Sequence, residues 1–450
     1  MRAPGQTDTG WSDTGWTAPA ARAPVAAIVR LPGSKSMTNR ALILAALADV
    51  PTTIIGPLQA RDTNLMTGAI IALGATVDAT AAGEVDPPPA WTVTPGRVAG
   101  PARVDVGNAG TVLRFVPPIA GLAAADVEFS GDPRASQRPV AELLRGLRQA
   151  GVDIDDGGRG AVPFVVRGRG RVAGGSVTLD ASASSQLVSG LMLAAPRFEA
   201  GLEIIHNGPR IPSAPHIAMT AAMLTSAGAD VEAGRGGSEP WPDRWLVRPG
   251  RLAPGTITIE PDLSNAAPFL AAAVVTGGRV TIPGWPARSL QAASQIMDVL
   301  GQMGARWQPT VAGLRVEGTG VIHGITADLR DISELAPVLT ALAALANAPS
   351  EFTGIGHMRL HESDRLAALA AEIGALGGQV SELPDGLRIQ PRPLRAGTEP
   401  FDSHDDHRLV MAAAVLGLAV PGLRVANAAT VAKTFPAFRA LWQQMLGQAP

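Results

Sequence analysis

The chain repeats itself six times. In each copy a short strand-like run passes through a small polar turn into an Ala/Leu-rich helix. The six turn-and-helix segments are GSKSMTNRALILAAL, VGNAGTVLRFVPPIAGL, ASASSQLVSGLMLAA, PDLSNAAPFLAAAVV, LRDISELAPVLTALAAL and SHDDHRLVMAAAVLGLAV. A β-like run follows each (TTIIGP, DVEFSGDP, LEIIHNGP, RVTIPGWP, EFTGIGH, LRVANAA), and then a second helix. In the first five units a further strand or hairpin leads on. The period, about 70 to 80 residues, is too long for a stacked solenoid and fits a βαβαββ-like unit, three to a domain. The junction of the third and fourth units, Val247 to Gly255, is the natural boundary. Generic α/β alternation is the alternative reading.

At 450 residues the chain is too long for one ordinary core. Apolar residues make up 46 % and charged residues 17 %, the balance of a folded globular protein. The net charge of −2 gives no general attraction to nucleic acid or to an anionic membrane, so any anion site must be a local cluster. The absence of cysteine excludes disulfides, thiolate nucleophiles and cysteine-bound zinc. Residues 1–23, with the tandem TDTGWSDTGW, read as a flexible tail without the basic-then-apolar pattern of a secretory signal. No uninterrupted apolar run reaches about 18 residues, so no membrane span is expected; the absence of cysteine and of a secretory pattern makes the cytoplasm the expected location.

Polar residues that look out of place gather at the turns. Lys35 is one of two lysines among 37 Lys and Arg residues, and it stands with Ser34, Ser36, Asn39 and Arg40. The alternative there is a capped helix with two solvated cations. GNAGT, Gly107 to Thr111, opens the next helix and lets a ligand approach the backbone. Arg138 precedes Pro139 at an expected helix start, where a cation needs an anionic partner. Ser184, Ser185 and Gln186 are more polar than a cap requires. Glu334 begins an apolar helix, where a carboxylate is ordinarily a stabiliser. HMRLHESDR brings His357, His361, Glu362 and Arg365, of which the last two can pair at i,i+3. In SHDDHR, His404 and His407 could ligate a metal, although the adjacent Arg408 would repel the ion. Lys433 and Thr434 precede the last helix.

Taken in order, LPGSKSMTNRALILAALA, GNAGT, the RP at Arg138, SSQ, ESDRL, DHR and AKTFP resemble the 5-enolpyruvylshikimate-3-phosphate (EPSP) synthase family over residues 24–445. The resemblance implies an α/β fold of two similar globular domains, each of three βαβαββ units, closing on substrate. The expected bounds are 34–253 for one domain and 24–33 plus 254–450 for the other. It implies transfer of the enolpyruvyl group of phosphoenolpyruvate to the 5-hydroxyl of shikimate 3-phosphate, on the route to chorismate. It implies no metal or cofactor, no nucleic-acid or membrane partner, and a monomer.

Carried over by position, Lys35, Gly110, Arg138, Gln186, Arg365, Arg408 and Lys433 match phosphoenolpyruvate-binding positions. Lys35, Ser36, Arg40, Ser184, Ser185, Gln186, Ser213, Glu334 and His361 match shikimate 3-phosphate positions. Glu334 matches the acceptor of the 5-hydroxyl proton, and Glu362 the donor to the phosphoenolpyruvate methylene. The sequence departs from the best-known pattern where Glu334 replaces Asp, His361 replaces Lys, His357 replaces Asn and His216 replaces an aromatic residue. Gly110 matches the small residue associated with glyphosate sensitivity. The sister transferase acting on UDP-N-acetylglucosamine mostly uses a loop cysteine that this chain lacks. An RNA 3′-phosphate cyclase would call for a basic surface. A polyanion-binding scaffold would need neither Glu334 nor Glu362.

Overall fold

Short β-branched runs alternating with Ala/Leu-rich stretches form six small sheets, each flanked by helices. The computed structural model describes residues 15–79, 88–236 and 241–448. Among these residues five sheets have four strands in one repeated order, and the sixth has three. In the second unit, Ala102–Asp105 runs parallel to Asp126–Ser130. Antiparallel Phe164–Arg167 and then Asp153–Asp155 complete that sheet. The strand–helix–strand crossover makes the first pair parallel, and the closing hairpin makes the rest antiparallel.

The first three units supply helices α1 (Lys35–Ala46) and α2 (Arg61–Ala72), α3 (Gly110–Ala120) and α4 (Ala141–Gln149), and α5 (Gln186–Ala194) and α6 (Pro215–Ser226). The last three supply α7 (Leu263–Thr276) and α8 (Ala293–Gln302), α9 (Ala336–Ala344) and α10 (Arg365–Ala375), and α11 (His407–Gly417) and α12 (Phe438–Met445). The first helix of each unit is the inner one. Every residue of α3, α9 and α11 is buried, which explains why, apart from Thr111, Arg114, Thr340, His407 and Arg408, they are apolar all round rather than on one stripe. Helices α1, α3 and α5 pack together in one half, and α7, α9 and α11 in the other. Small residues permit the close approach. A Cβ at Gly190 of α5 would lie 2.1 Å from the Arg114 carbonyl oxygen of α3.

Two separate hydrophobic cores result. One runs from Met37 to Ile259. The other combines Trp16 to Val29 with Leu263 to Met445. The chain therefore crosses between halves twice, and each crossing donates a strand. Ala26–Ile28 pairs with Arg279–Ile282 of the fourth unit. Thr256–Thr258 pairs with Thr52–Ile55 of the first. The expected division after residue 253 is thus corrected: the strand 256–258 closes the first sheet, whose edge would otherwise stay unpaired. The crossing lies at Glu260–Asp262, beside the other at Pro32–Ser34. Ser34 N donates to Glu260 O (2.8 Å), and Asp262 N to Pro32 O (2.9 Å).

The tail expectation is corrected in part. Residues 1–14 lie outside the described residues. Trp16–Thr17 is a strand, antiparallel to Arg424–Ala426, with Trp16 buried in the second core. Among the described residues the sixth unit has no hairpin of its own, and this segment covers its edge. Among the described residues, no helix is long and apolar enough to cross a membrane.

Candidate active site

Helix N-termini leave backbone N–H groups unpaired, and the singled-out residues lie at these ends. Lys35, Gly110, Gln186 and His407 open α1, α3, α5 and α11. Asp262 caps α7 through Asn265 N, and Asp406 caps α11 through Arg408 N. Glu334 lies in a 3₁₀ stretch, Arg330–Leu335, just ahead of α9 rather than inside it.

Two clusters form where the halves meet. In the first, Glu362 is the centre. Its Oε1 accepts from Lys433 Nζ (3.1 Å) and from Arg138 Nη1 (3.4 Å), and its Oε2 from Arg365 Nη2 (3.0 Å). Arg138 and Lys433 also both donate to Asn108 O, at 2.8 and 3.0 Å. Arg365 is held in turn by Asp406, Nε to Oδ2 at 2.7 Å and Nη2 to Oδ1 at 3.1 Å. Arg408 donates to Ser264 O at 3.1 Å. Gly110 fits against this group because it has no side chain. A Cβ there would meet Arg114 Nη1 and Arg138 Nη2, each at 2.8 Å.

In the second cluster, Ser34, Ser36, Ser213, His216, Ser264 and Glu334 line one pocket. Glu334 Oε2 accepts from Ser264 Oγ (3.4 Å) and lies 3.8 Å from His216 Nε2. Ser213 N donates to Arg330 O (2.9 Å), and the Ser213 and Ser333 hydroxyls are 3.2 Å apart. His357 Nε2 is 3.0 Å from Ser333 Oγ, and the His357 and His361 rings are 5.4 Å apart. Lys35 lies between the clusters. Its Nζ donates to Asp62 Oδ2 (3.2 Å), and its charge acts on Glu334, His216 and His407.

Burial alone would raise the Glu362 pKa, but Lys433, Arg138 and Arg365 hold it well below the carboxylate range. Glu334 is lowered in the same sense: His216, Arg408 and Lys35 outweigh its burial. For Arg365, Asp406 and Glu362 outweigh burial and raise the pKa. Burial is the leading reason that His357 falls to about 4 and that His361 and His407 fall well below 6.5.

Most of the singled-out residues come together here, but two groups do not behave as their spacing suggested. Arg40 lies beneath the pocket, 1 % exposed, with its donors committed to Thr220, Ser36 O, Ser189 and His216 O. Burial pushes its pKa down to about 9, so it remains charged at neutral pH. His404 and His407 diverge. His404 is exposed and pairs with Glu372, whereas His407 is buried. Several participants, Ser333 among them, escaped sequence reading. Asp62 holds Lys35. Arg114 Nη1 holds Gln186 Oε1 at 2.9 Å. Arg134 spans the gap to the carbonyls of Arg359 and His361. Ser264 holds Glu334. Asp62, two residues into a helix, carried the ordinary signature of a dipole-stabilising acid.

A family model for EPSP synthase (3-phosphoshikimate 1-carboxyvinyltransferase) matches residues 19–442. The chain belongs to that family. It is 49 % identical over 437 residues to a 3-phosphoshikimate 1-carboxyvinyltransferase from Mycobacterium ulcerans (strain Agy99), covering 95 % of this chain and 96 % of the relative. Two solved structures of EPSP synthase from Acinetobacter baumannii match with a TM-score of 0.76 at 24 % identity. They cover 95 % of this chain and 97 % of theirs, a likeness of fold. The chain is thus a transferase of the shikimate pathway, moving the enolpyruvyl group of phosphoenolpyruvate to shikimate 3-phosphate with release of phosphate.

Proposed function

We propose that the two clusters divide the substrates, with Lys35 serving both. Phosphoenolpyruvate is held by Lys35, Gly110, Arg138, Gln186, Arg365, Arg408 and Lys433. Shikimate 3-phosphate is held by Lys35, Ser36, Ser184, Ser185, Gln186, Ser213, Glu334 and His361. Arg40 serves this second set from beneath, by fixing Ser36 O and His216 O. The observation that carries the reading is the convergence of Arg138, Arg365 and Lys433 on the single carboxylate of Glu362. Such a group is suited to a ligand with both a carboxylate and a phosphate.

Glu334, with its lowered pKa, is ionised at neutral pH and suited to accept the 5-hydroxyl proton as the new C–O bond forms. Glu362 has the opposite task, delivering a proton to the methylene carbon. Three cations hold it ionised, and phosphoenolpyruvate competes for the same cations. As the substrate's anionic groups draw them away, the Glu362 pKa rises and the carboxyl takes up a proton. The tetrahedral adduct then loses phosphate, and the fixed cations stabilise the charge developing on it. Holding two substrates in register supplies much of the remaining acceleration, and contact between the halves excludes water from the intermediate. We place the reaction in the cytoplasm and assign it to a monomer.

Phosphate release from phosphoenolpyruvate tests the reading. Release should require shikimate 3-phosphate. Glu334→Gln and Glu362→Gln should each lower kcat by about 100-fold or more while both substrates still bind. Near-normal turnover in either variant removes its proton-transfer role.

A further inference from the structure

The four positions where the sequence departs from the family pattern form one neighbourhood. His216 faces Glu334, Glu334 follows Ser333, Ser333 meets His357, and the His357 ring packs edge-on to His361. The contact that matters for chemistry is the first, because it crosses between the halves. His216 is carried by α6 of the first, and Glu334 by the 3₁₀ stretch of the second.

The carboxylate of Glu334 is held on one side only. Oε2 has Ser264 Oγ at 3.4 Å and His216 Nε2 at 3.8 Å, whereas Oε1 has no hydrogen-bond partner among the described residues. The backbone behind the imidazole is fixed: His216 O accepts from Arg40 Nη2 (3.1 Å) and Thr220 Oγ1 (2.8 Å). The charged groups facing the ring are Glu334, Arg40, Asp262 and Lys35. Burial leads in lowering its pKa below 6.5, and the two cations add to it. Nε2 is the ring nitrogen that faces the carboxylate.

We propose that His216 is a positioning residue for the reaction's base: Nε2–H holds Oε2 of Glu334 and leaves Oε1 to take the proton of the 5-hydroxyl. A separation of 3.8 Å exceeds a hydrogen bond, and such pairs commonly tighten when substrate binds. Since the two residues ride on different halves, the base is aligned only when the halves meet. The longer carboxylate at 334 and the imidazole at 216 are then one paired device, because an aspartate would fall a methylene short of the ring. The inference rests on Glu334 being the proton acceptor.

Steady-state kinetics on His216→Phe, His216→Gln, Glu334→Asp and the double variant His216→Phe/Glu334→Asp test it. His216→Phe should lower kcat by about 10- to 100-fold with KM for shikimate 3-phosphate changed less than about threefold. His216→Gln retains an N–H near the Nε2 position and should recover most of that loss. In the Glu334→Asp background, adding His216→Phe should change kcat less than about threefold, since the contact is already gone. A raised KM at unchanged kcat would make His216 a substrate contact only and overturn the proposal, as would fully additive losses. Turnover surviving in Glu334→Gln would instead sink the assignment of the base itself, and the proposal with it.

Discussion

Lys35 and Lys433 are the only lysines in a chain that otherwise writes its cations as arginine, and both occupy positions a fork fits poorly. Lys35 Nζ reaches Asp62, 2 % exposed along its side chain, between the two clusters. Lys433 Nζ donates at once to Asn108 O of one half and Glu362 of the other. A compact ammonium with three donors can serve such divergent partners, whereas a planar guanidinium sets its donors in one plane. Lys35→Arg should therefore lower kcat/KM by about 100-fold or more while the thermal midpoint stays near that of the parent. Near-normal turnover would make the scarcity of lysine a matter of composition. The cations were legible in the sequence because charge is conspicuous beside Ala-rich helices. Apart from Glu362, their counter-ions were not. Asp62 and Asp406 are respectively 27 and 41 residues from the cations they hold, and no local pattern encodes that distance.

At the scale of the element, the ends of the inner helices join fold to site. Asp406 accepts from Arg408 N as the cap of α11, holds Arg365 through two nitrogens, and accepts from Ser363 Oγ. It is fully buried. Asp406→Ala removes a cap and leaves Arg365 as a buried charge with Glu362 alone to offset it. A loss of about 3 kcal/mol or more in unfolding free energy is expected, together with a rise in KM for phosphoenolpyruvate. Denaturant titration and initial-rate kinetics check the two arms. An unchanged stability would mean that the ion pair is offset by its own desolvation. The strand–turn–helix rhythm was legible, since the runs TTIIGP, DVEFSGDP, LEIIHNGP, RVTIPGWP, EFTGIGH and LRVANAA each contain or overlap a strand. The 3₁₀ stretch before α9 was not, because the choice between a helix start and a 3₁₀ turn depends on the backbone packed around it.

Across the whole molecule, the closed cleft makes stability depend on pH. His216, His357, His361 and His407 all have folded pKa values below 6.5, with His357 at about 4. As pH falls below 6.5, the unfolded chain takes up protons that the folded chain does not. Stability is therefore full above 6.5 and falls with pH until the folded values are passed. The lowered Glu334 and Glu362 add to the loss below 4.5. The thermal midpoint should thus drop between pH 7 and pH 5, and His357→Gln should flatten the slope. A pH-independent midpoint would show that these imidazoles are solvated. The same closure decides what each half contributes. Arg134, Arg138, Arg210 and Ser213 reach from the first half to Arg359, Glu362, Asp331 and Arg330 of the second.

The sequence alone determined the six units, the two-domain α/β class, the family and most of the cations, because periodicity and signature runs are local properties of the chain. Tertiary structure decided the rest. It gave the strand 256–258 to the first half, drew Trp16 into the sixth sheet, sank Arg40 beneath the pocket and set His216 against Glu334. Each of these depends on which unpaired edge, buried charge or opposed side chain lies nearest in space, and the order of residues does not state that.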